Sequence, residues 1–158
     1  MSAATQQPAA LTVAGSDSGG NAGIQADLRA FHVFGVHGCT AIAALTAQNP
    51  WGVSGVQEVT PEFLCRQLDA VLPHYGLGAA KTGMLATVPL IEAVADRFAR
   101  VPGLPRVVDP VMVATSGARL LAPDAVAALC ARLLPQAALI TPNLPEAEVL
   151  LGRPVGGG

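Results

Sequence analysis

The sequence predicts one α/β domain in which a mostly parallel sheet carries helices on both faces, a Rossmann-like arrangement. Two observations predict it. Short apolar runs alternate along the chain with amphipathic segments of helical period. Polar residues also recur directly after the apolar runs, from Ser16 and Asp17 to Asn143. Since ligands of such sheets gather where the parallel strands end, this clustering predicts a binding site there.

The N-terminal third supplies the first strand, helix and second strand. The apolar run Ala10–Gly15 predicts a buried strand that ends in a glycine-rich loop. Asn21 is expected to cap the following helix, and Gly35 is expected to end it. The run Cys39–Gln48 has few polar residues, which predicts a second strand covered on both faces.

The remaining elements repeat the same alternation. Thr60 and Pro61 open a helix in the way that is usual for proline at the first helical position. The predicted elements are the turn Asn49–Gly52, the extended segment Val53–Val59, the helix Thr60–Leu72, the strand Gly78–Met84, the helix Val88–Ala99, the strand and loop Arg106–Met112, the helix Pro123–Leu134, the strand Ala138–Asn143 and the helix Leu144–Leu151.

The composition excludes several classes of protein. The chain of 158 residues is 51% apolar and 13% charged, which argues against disorder, except in an N-terminal tail expected over residues 1–9. The net charge of -2, with no lysine or arginine cluster, gives no basis for nucleic-acid binding. Neither a signal peptide nor a membrane-spanning run is found. Three widely spaced cysteines argue against disulfides and structural zinc and favour the cytoplasm: Cys39, Cys65 and Cys130.

The stretch "AGSDSGGNAGIQAD" raises the question of which ligand its glycines serve. It has neither the G-x-G-x-x-G spacing of dinucleotide sites nor the lysine of a phosphate-binding P-loop, so a nicotinamide dehydrogenase is disfavoured. Glycines still permit positive φ and close backbone approach to a flat ligand. Asp27, one helical turn beyond the loop, either accepts a hydrogen bond from such a ligand or is a solvated helix carboxylate.

Five stretches together identify a known family. "AGSDSGGNAGIQADLRAF", "AALTAQN", "KTGML", "VVDPVMVATSG" and "TPNLPEAEVL" occur in this order between Leu11 and Leu151. They resemble hydroxymethylpyrimidine/phosphomethylpyrimidine kinases, the members of the ribokinase-like superfamily that serve thiamine biosynthesis. One departure is Asn21, which stands where the family usually has glycine; asparagine tolerates positive φ better than most residues. The resemblance implies a ribokinase-type fold, C-terminally truncated, with residues 10–158 forming the N-terminal part of one kinase domain.

The resemblance also implies which residues hold the substrate. The glycine loop would close over a pyrimidine rather than over ATP. Asp27 would meet the hydroxymethyl or amino side of this substrate, and the Gln48 amide, with two donors and one acceptor, would read the ring edge. The implied substrate-binding residues are Gly15, Ala22, Asp27, Thr46, Gln48, Met84 and Val111.

For ATP and Mg²⁺ the resemblance implies Asp109, Asn143 and Glu146, with Asp109 and Glu146 holding the metal, in part through water. The implied reaction is phosphorylation of 4-amino-5-hydroxymethyl-2-methylpyrimidine, then of its monophosphate, to the diphosphate. The family carries its catalytic residue and anion-hole glycines beyond the position of Gly158. No catalytic residue is therefore expected within the chain, and the 158 residues alone are not expected to complete the reaction.

Two rival functions stay open. The first is a vitamin B6 (pyridoxine or pyridoxal) kinase of the same superfamily, although "TAQN" and "KTGM" favour the thiamine enzyme. The second is a non-catalytic pyrimidine-binding domain. The expected partners are the pyrimidine and ATP, with no nucleic acid and no membrane, and dimerisation within the family makes a homodimer an expectation.

Overall fold

The structure is a computed structural model that describes residues 7–112, 121–122 and 124–156. Its strands form one six-stranded sheet in the order β3-β2-β1-β4-β5-β6. Every neighbouring pair is parallel except β2 and β3, which form an antiparallel hairpin at one edge. The strands are β1 Ala9–Asp17, β2 His37–Asn49, β3 Gly52–Glu58, β4 Leu77–Thr82, β5 Arg106–Val108 and β6 Leu139–Ile140. The predicted mostly parallel sheet is confirmed.

Helices cover both faces of this sheet, as predicted. Helix α1 packs on β1 and β2, and its Ile24 is buried. The core lies on the opposite face, where side chains of the sheet meet α2, α3 and the 125–136 segment. The helices are α1 Gly23–Val33, α2 Pro61–Val71, α3 Val88–Ala99, α4 Ala125–Ala128 and α5 Leu144–Leu151.

Strand β1 shows how the sheet separates the core from the site. Leu11 and Val13 are fully buried and belong to the core cluster. Thr12 lies between them, so its side chain points to the opposite face, where it contacts Asp27 of α1. The strand begins at Ala9, which therefore belongs to the sheet rather than to the tail expected over residues 1–9. Residues 1–6 of that tail lie outside the described part of the chain.

Two elements near the C-terminus differ from expectation. The strand expected over Ala138–Asn143 is limited to the two residues of β6. The helix expected over Pro123–Leu134 begins, in its described part, with the single turn α4, and continues as a π-helical turn (Leu129–Leu133) and a 3₁₀ turn (Leu134–Gln136). Pro135 has no N–H and its ring crowds the carbonyl four residues earlier, so a regular α-helix cannot pass through it. Pro123 lies outside the described residues.

A buried arginine on β5 caps the C-terminus of α3. The side chain of Arg106 donates from Nη2 to the carbonyl oxygen of Phe98, at 2.6 Å, and to that of Val101. Its guanidinium also lies 5.1 Å from the centroid of the Phe98 ring. Burial lowers the pKa of Arg106 from its ordinary value, yet the group stays cationic, as arginine does in proteins. A positive charge beside the last carbonyls of a helix is stabilising.

Replacing Arg106 by methionine is expected to lower the free energy of unfolding by about 1–3 kcal/mol, because carbonyls at the end of α3 lose their donor. Urea denaturation at neutral pH measures the change. Arg132→Met is the matched control, since Arg132 pairs with Asp96 where both side chains are about half exposed, and such pairs contribute at most about 1 kcal/mol. Equal losses in the two variants would contradict the role assigned to Arg106.

Candidate functional site

A cavity of about 380 Å³ opens at the carboxyl ends of the central strands. This volume is in the range of small-molecule sites. Its walls come from the end of β1, the glycine loop, the first turns of α1, Thr46 on β2, and the segments after β4 and β5. Asp109 lines the cavity. So do six of the seven residues expected to bind substrate: Gly15, Ala22, Asp27, Thr46, Met84 and Val111.

The glycine loop between β1 and α1 is built around the carboxylate of Asp17, which is 4% exposed. One carboxylate oxygen accepts a hydrogen bond from the backbone N–H of Gly19, and the other accepts from those of Asn21 and Ala22, each at 2.8 Å. Asn21 does not cap α1 as expected: the capping position is Ala22, without a side-chain hydrogen bond. The loop that is folded onto Asp17 extends through Ala22, so α1 begins at Gly23, one residue later than a cap at Asn21 would place it.

The loop needs glycine where two segments of backbone meet. Gly23 has a φ of +57°, and a Cβ built on it would lie 2.3 Å from the carbonyl oxygen of Gly15. A Cβ on Gly15 would in turn lie 2.6 Å from the methyl carbon of Met84. These glycines therefore serve close packing of the cavity wall, and neither contact depends on a phosphate.

The β2–β3 hairpin is attached to this loop. The hydroxyl of Ser18 donates to the carbonyl oxygen of Gln48 at 2.9 Å and accepts from the N–H of Gln48 at 2.8 Å. The Thr46 hydroxyl donates to the carbonyl oxygen of Ser16 and lies 3.2 Å from Oε1 of Gln48. Gln48 itself is half-buried beside the cavity and does not belong to its lining. The structure thus places Gln48 next to the expected site, one side chain away from the wall.

Three ionisable side chains meet in the cavity. Nζ of Lys81 lies 3.1 Å from Oδ1 of Asp27 and 3.5 Å from Oδ2 of Asp109. Burial raises the pKa of Asp109 above its ordinary value, the charge of Glu146 raises it further, and the Lys81 ammonium partly offsets both. Lys81 is the sole lysine of the chain. The sequence places it among the polar residues at the carboxyl ends of the strands, while the family resemblance assigns it no role, and the structure brings it into the cavity wall.

Asn143 and Glu146 lie at the start of α5, and neither lines the cavity. They form a capping box: Oδ1 of Asn143 accepts from the N–H of Glu146, and Oε2 of Glu146 accepts from the N–H of Asn143, both at 2.9 Å. Oε1 of Glu146 lies 3.3 Å from the backbone nitrogen of Met112, so the carboxylate also anchors the segment after β5. Glu146 is 6% exposed, and its charge acts on Asp109.

Asp109 and Glu146, the expected metal ligands, therefore lie on different segments of the chain and do not by themselves surround a metal ion. Within the described part of the chain, no group of three or more His, Cys, Asp or Glu residues is arranged to hold a metal ion. Asp109 and Glu146 are nevertheless close enough for the charge of Glu146 to raise the pKa of Asp109, and Mg²⁺ keeps several of its waters and needs only one or two protein carboxylates. The raised pKa of Asp109 is consistent with this, since a bound cation relieves the cost of its ionised form.

None of the helices in the described ranges reaches the length and apolar character that a bilayer crossing requires.

Comparison with known proteins finds that this chain matches one family model and several individual relatives. Residues 17–157 match a family model described as phosphomethylpyrimidine kinase. Hydroxymethylpyrimidine/phosphomethylpyrimidine kinases of Rhizobium meliloti (strain 1021) and Escherichia coli (strain K12) are 53% and 52% identical to this chain. The matches cover 94% and 92% of this chain but 55% and 54% of those relatives, so the chain spans about half their length.

Solved structures give the same picture. The phosphomethylpyrimidine kinase of Clostridium difficile 630 superposes with a TM-score of 0.89 at 40% identity, over 96% of this chain and 65% of that one. The pyridoxal kinase of Bacillus subtilis, solved as an ADP complex, superposes with a TM-score of 0.83 at 41% identity, over 93% and 56% of the two chains. The ribokinase-like fold implied by the sequence resemblance is confirmed.

Gly23→Ala is expected to destabilise the chain by about 2 kcal/mol or more, since the new methyl group adds a clash with a backbone carbonyl to the strain of positive φ. Gly35→Ala is the control: Gly35 has a φ of +69°, but no described atom lies within 4 Å of its added Cβ, so the loss of stability should stay near 1 kcal/mol. Urea denaturation of both variants gives the difference. Equal losses would mean that the contact between Gly15 and Gly23 has no energetic weight.

Proposed function

Since the chain belongs to the phosphomethylpyrimidine kinase family, we propose that it takes part in ATP-dependent phosphorylation of 4-amino-5-hydroxymethyl-2-methylpyrimidine and of its monophosphate, in thiamine biosynthesis. The observation that carries the proposal is the cavity at the strand ends, because it unites six of the seven residues that the family resemblance assigns to the pyrimidine. Its apolar wall (Met84, Val111) suits the faces of a ring, and its polar groups (Asp27, Lys81) suit the ring's substituents.

The chemistry divides between substrate positioning and charge neutralisation. In-line phosphoryl transfer needs the accepting hydroxyl to be held in place and the charge on the transferring group to be compensated. Asp27, which lines the cavity, would accept a hydrogen bond from the hydroxymethyl or amino group. Asp109 and Glu146 would hold Mg²⁺, in part through water, and the metal would neutralise the phosphate charge of ATP. Asn143 would contribute by fixing Glu146.

Gln48 is proposed to read the ring edge from beside the cavity. Its Oε1 is near the Thr46 hydroxyl, while its amide nitrogen has no hydrogen-bond partner among the described residues. This nitrogen is the donor proposed for the ring edge. The backbone of Gln48 is held meanwhile by Ser18.

Gln48→Ala is expected to weaken binding of the hydroxymethylpyrimidine about ten- to a hundredfold, since ring atoms lose their partner at a cost of about 1–3 kcal/mol. Isothermal titration calorimetry measures the affinity. Gln57→Ala is the control, because the Gln57 side chain is exposed on β3 and, within the part of the chain that the structure describes, bonds only to the neighbouring Glu58 carbonyl oxygen. Unchanged affinity in a folded Gln48→Ala variant would refute the assignment of Gln48.

The metal assignment predicts opposite effects of Asp109→Asn on stability and on Mg²⁺ binding. The pKa of Asp109 is raised by burial, so the folded state binds this proton more tightly than the unfolded chain does. Its ionised form therefore lowers stability once the pH rises above the unfolded pKa, near 4. At pH 7, Asp109→Asn is expected to raise the melting temperature without Mg²⁺ and to abolish any further rise on adding Mg²⁺.

Asp69→Asn gives the opposite-sign control for that experiment. The hydrogen bond from Arg97 lowers the pKa of Asp69, so its ionised form contributes stability that is lost as pH falls. This variant should melt slightly earlier at pH 7 and keep any response to Mg²⁺. If Asp109→Asn kept a full Mg²⁺ response, Asp109 would not be the proposed ligand. A lower melting temperature without Mg²⁺ would contradict the cost assigned to its ionised form.

A pyridoxal kinase is the second candidate, favoured by the likeness to the Bacillus subtilis pyridoxal kinase. Titrating the chain separately with hydroxymethylpyrimidine and with pyridoxal distinguishes the two. Tighter binding of the pyrimidine supports the first proposal, and tighter binding of pyridoxal supports the second.

Two further expectations belong to the same proposal. The three cysteines are free thiols in the structure, which supports a reducing, cytoplasmic location. The β2–β3 hairpin exposes three large apolar side chains, Leu45, Trp51 and Val56, and such exposure supports a homodimer.

A further inference from the structure

Strand β1 carries a buried hydroxyl that serves the site without lining it. Thr12 is fully buried in the middle of the strand, between two core residues. Its Oγ1 donates a 2.6 Å hydrogen bond to Oδ2 of Asp27, on helix α1. A hydroxyl in a buried strand position needs a partner, and this one has a carboxylate, which forms hydrogen bonds stronger than those of neutral acceptors.

The carboxylate of Asp27 is held from two sides. Oδ2 accepts from Thr12 and, at 3.3 Å, from Nζ of Lys81, while Oδ1 lies 3.1 Å from the same ammonium. A carboxylate has about four lone-pair sites, so among the described contacts Oδ1 keeps an unused acceptor site. The Asp27 side chain is 13% exposed, and it lines the cavity.

We infer that Thr12 is a positioning residue: with Lys81 it fixes the Asp27 carboxylate so that Oδ1 accepts a hydrogen bond from an N–H or O–H group of the ligand. The inference rests on the proposed pyrimidine site and adds to it a residue that does not touch the ligand. The selected ligands are heteroaromatic rings with a hydrogen-bond donor on the substituent that faces Asp27. Both the amine and the hydroxymethyl group of the proposed substrate have this chemistry.

Thr12 gives a cleaner test than Lys81. Lys81 also contacts Asp109, so its replacement would disturb two carboxylates and leave each without its counter-charge. Among the described residues the Thr12 hydroxyl bonds to Asp27 alone, and valine has nearly the same shape. The expected effect of Thr12→Val is therefore confined to the placement of one carboxylate.

The neighbouring strand offers a matched control. Thr82 on β4 is also fully buried, but its Oγ1 has no hydrogen-bond partner in the described structure and it does not line the cavity. Thr82→Val makes the same chemical change at a similar depth, one strand away, without touching Asp27. It should bind the ligand as the parent chain does and should be no less stable.

The experiment is calorimetric titration of the 158-residue chain and its variants with three ligands. They are 4-amino-5-hydroxymethyl-2-methylpyrimidine, its 4-oxo analogue without the amine, and its 5-methyl analogue without the hydroxyl. Thr12→Val is expected to weaken binding of the parent pyrimidine about tenfold, as for loss of a hydrogen bond to a charged group. For one of the two analogues, the loss of affinity that Thr12→Val causes should be smaller by a similar factor. The group that this analogue lacks is then the donor whose hydrogen bond Asp27 accepts.

A variant that restores the hydroxyl tests whether Thr12 acts through it. Thr12→Ser, which restores the hydroxyl, should bind within about threefold of the parent chain, and Thr82→Val within about twofold. If Thr12→Val does not fold, Thr12→Ala decides by the same analogue pattern. Unchanged affinity, or an equal loss for all three ligands, would overturn the inference and leave the proposed function standing. No binding of the pyrimidine by the parent chain would overturn both.

Discussion

The glycine loop after the first strand depends on one buried carboxylate, that of Asp17. Its side chain receives three backbone N–H groups of the loop, and its own carbonyl oxygen receives a fourth, from Gly20. Glycine-rich loops that precede helices bind phosphates when such N–H groups converge on open space. Here they converge on an anion that belongs to the chain. The loop is therefore complete without a phosphate, and the cavity beneath it is free for a ligand of another kind.

This internal anion also sets the position of the surrounding segments. With the loop folded onto Asp17, Gly23 comes against the carbonyl oxygen of Gly15, and α1 begins there. Gln25, one turn into α1, accepts from the N–H of Asp17 and donates to the Ser16 hydroxyl, which fixes the helix to the strand. Asp27 follows two residues later, over Thr12. The distance between the glycine loop and Asp27 is thus a consequence of how the loop is closed.

Local patterns predicted much of this fold and part of the site. The alternation of apolar runs with helical segments predicted β1, β2 and α1 to α3, and Thr60 with Pro61 predicted the start of α2, where the Thr60 hydroxyl accepts from the N–H of Phe63. Where local sequence has to compete with packing, the predictions failed. Asn21 is a good capping residue by type, but the loop that is folded onto Asp17 extends through Ala22, and α1 begins only at Gly23. The strand expected before Asn143 is short, since the capping box turns the chain into α5 soon after β6.

The sequence did not predict side-chain contacts between elements that lie far apart along the chain. The pairing of Thr12 with Asp27 joins residues from a strand and a helix, and it depends on the twist of one against the other. Without the structure, a threonine in "ALTVAG" is indistinguishable from an ordinary β-branched strand residue. The same holds for Gln48, whose position beside the cavity rather than in its wall follows from the contact of the hairpin with Ser18.

The cavity holds more charge than the fold alone requires. Two carboxylates and one ammonium, all partly buried, leave an excess of negative charge around Lys81, and the raised pKa of Asp109 reflects that excess together with burial. An apolar cavity wall would be more favourable for folding alone, since buried ionised groups lower stability unless they are fully paired. Under the proposed function, the pyrimidine would bring hydrogen-bond donors to Asp27 and Mg²⁺ would bring positive charge to Asp109. Binding of these two ligands would then account for a charge pattern that folding by itself would not select.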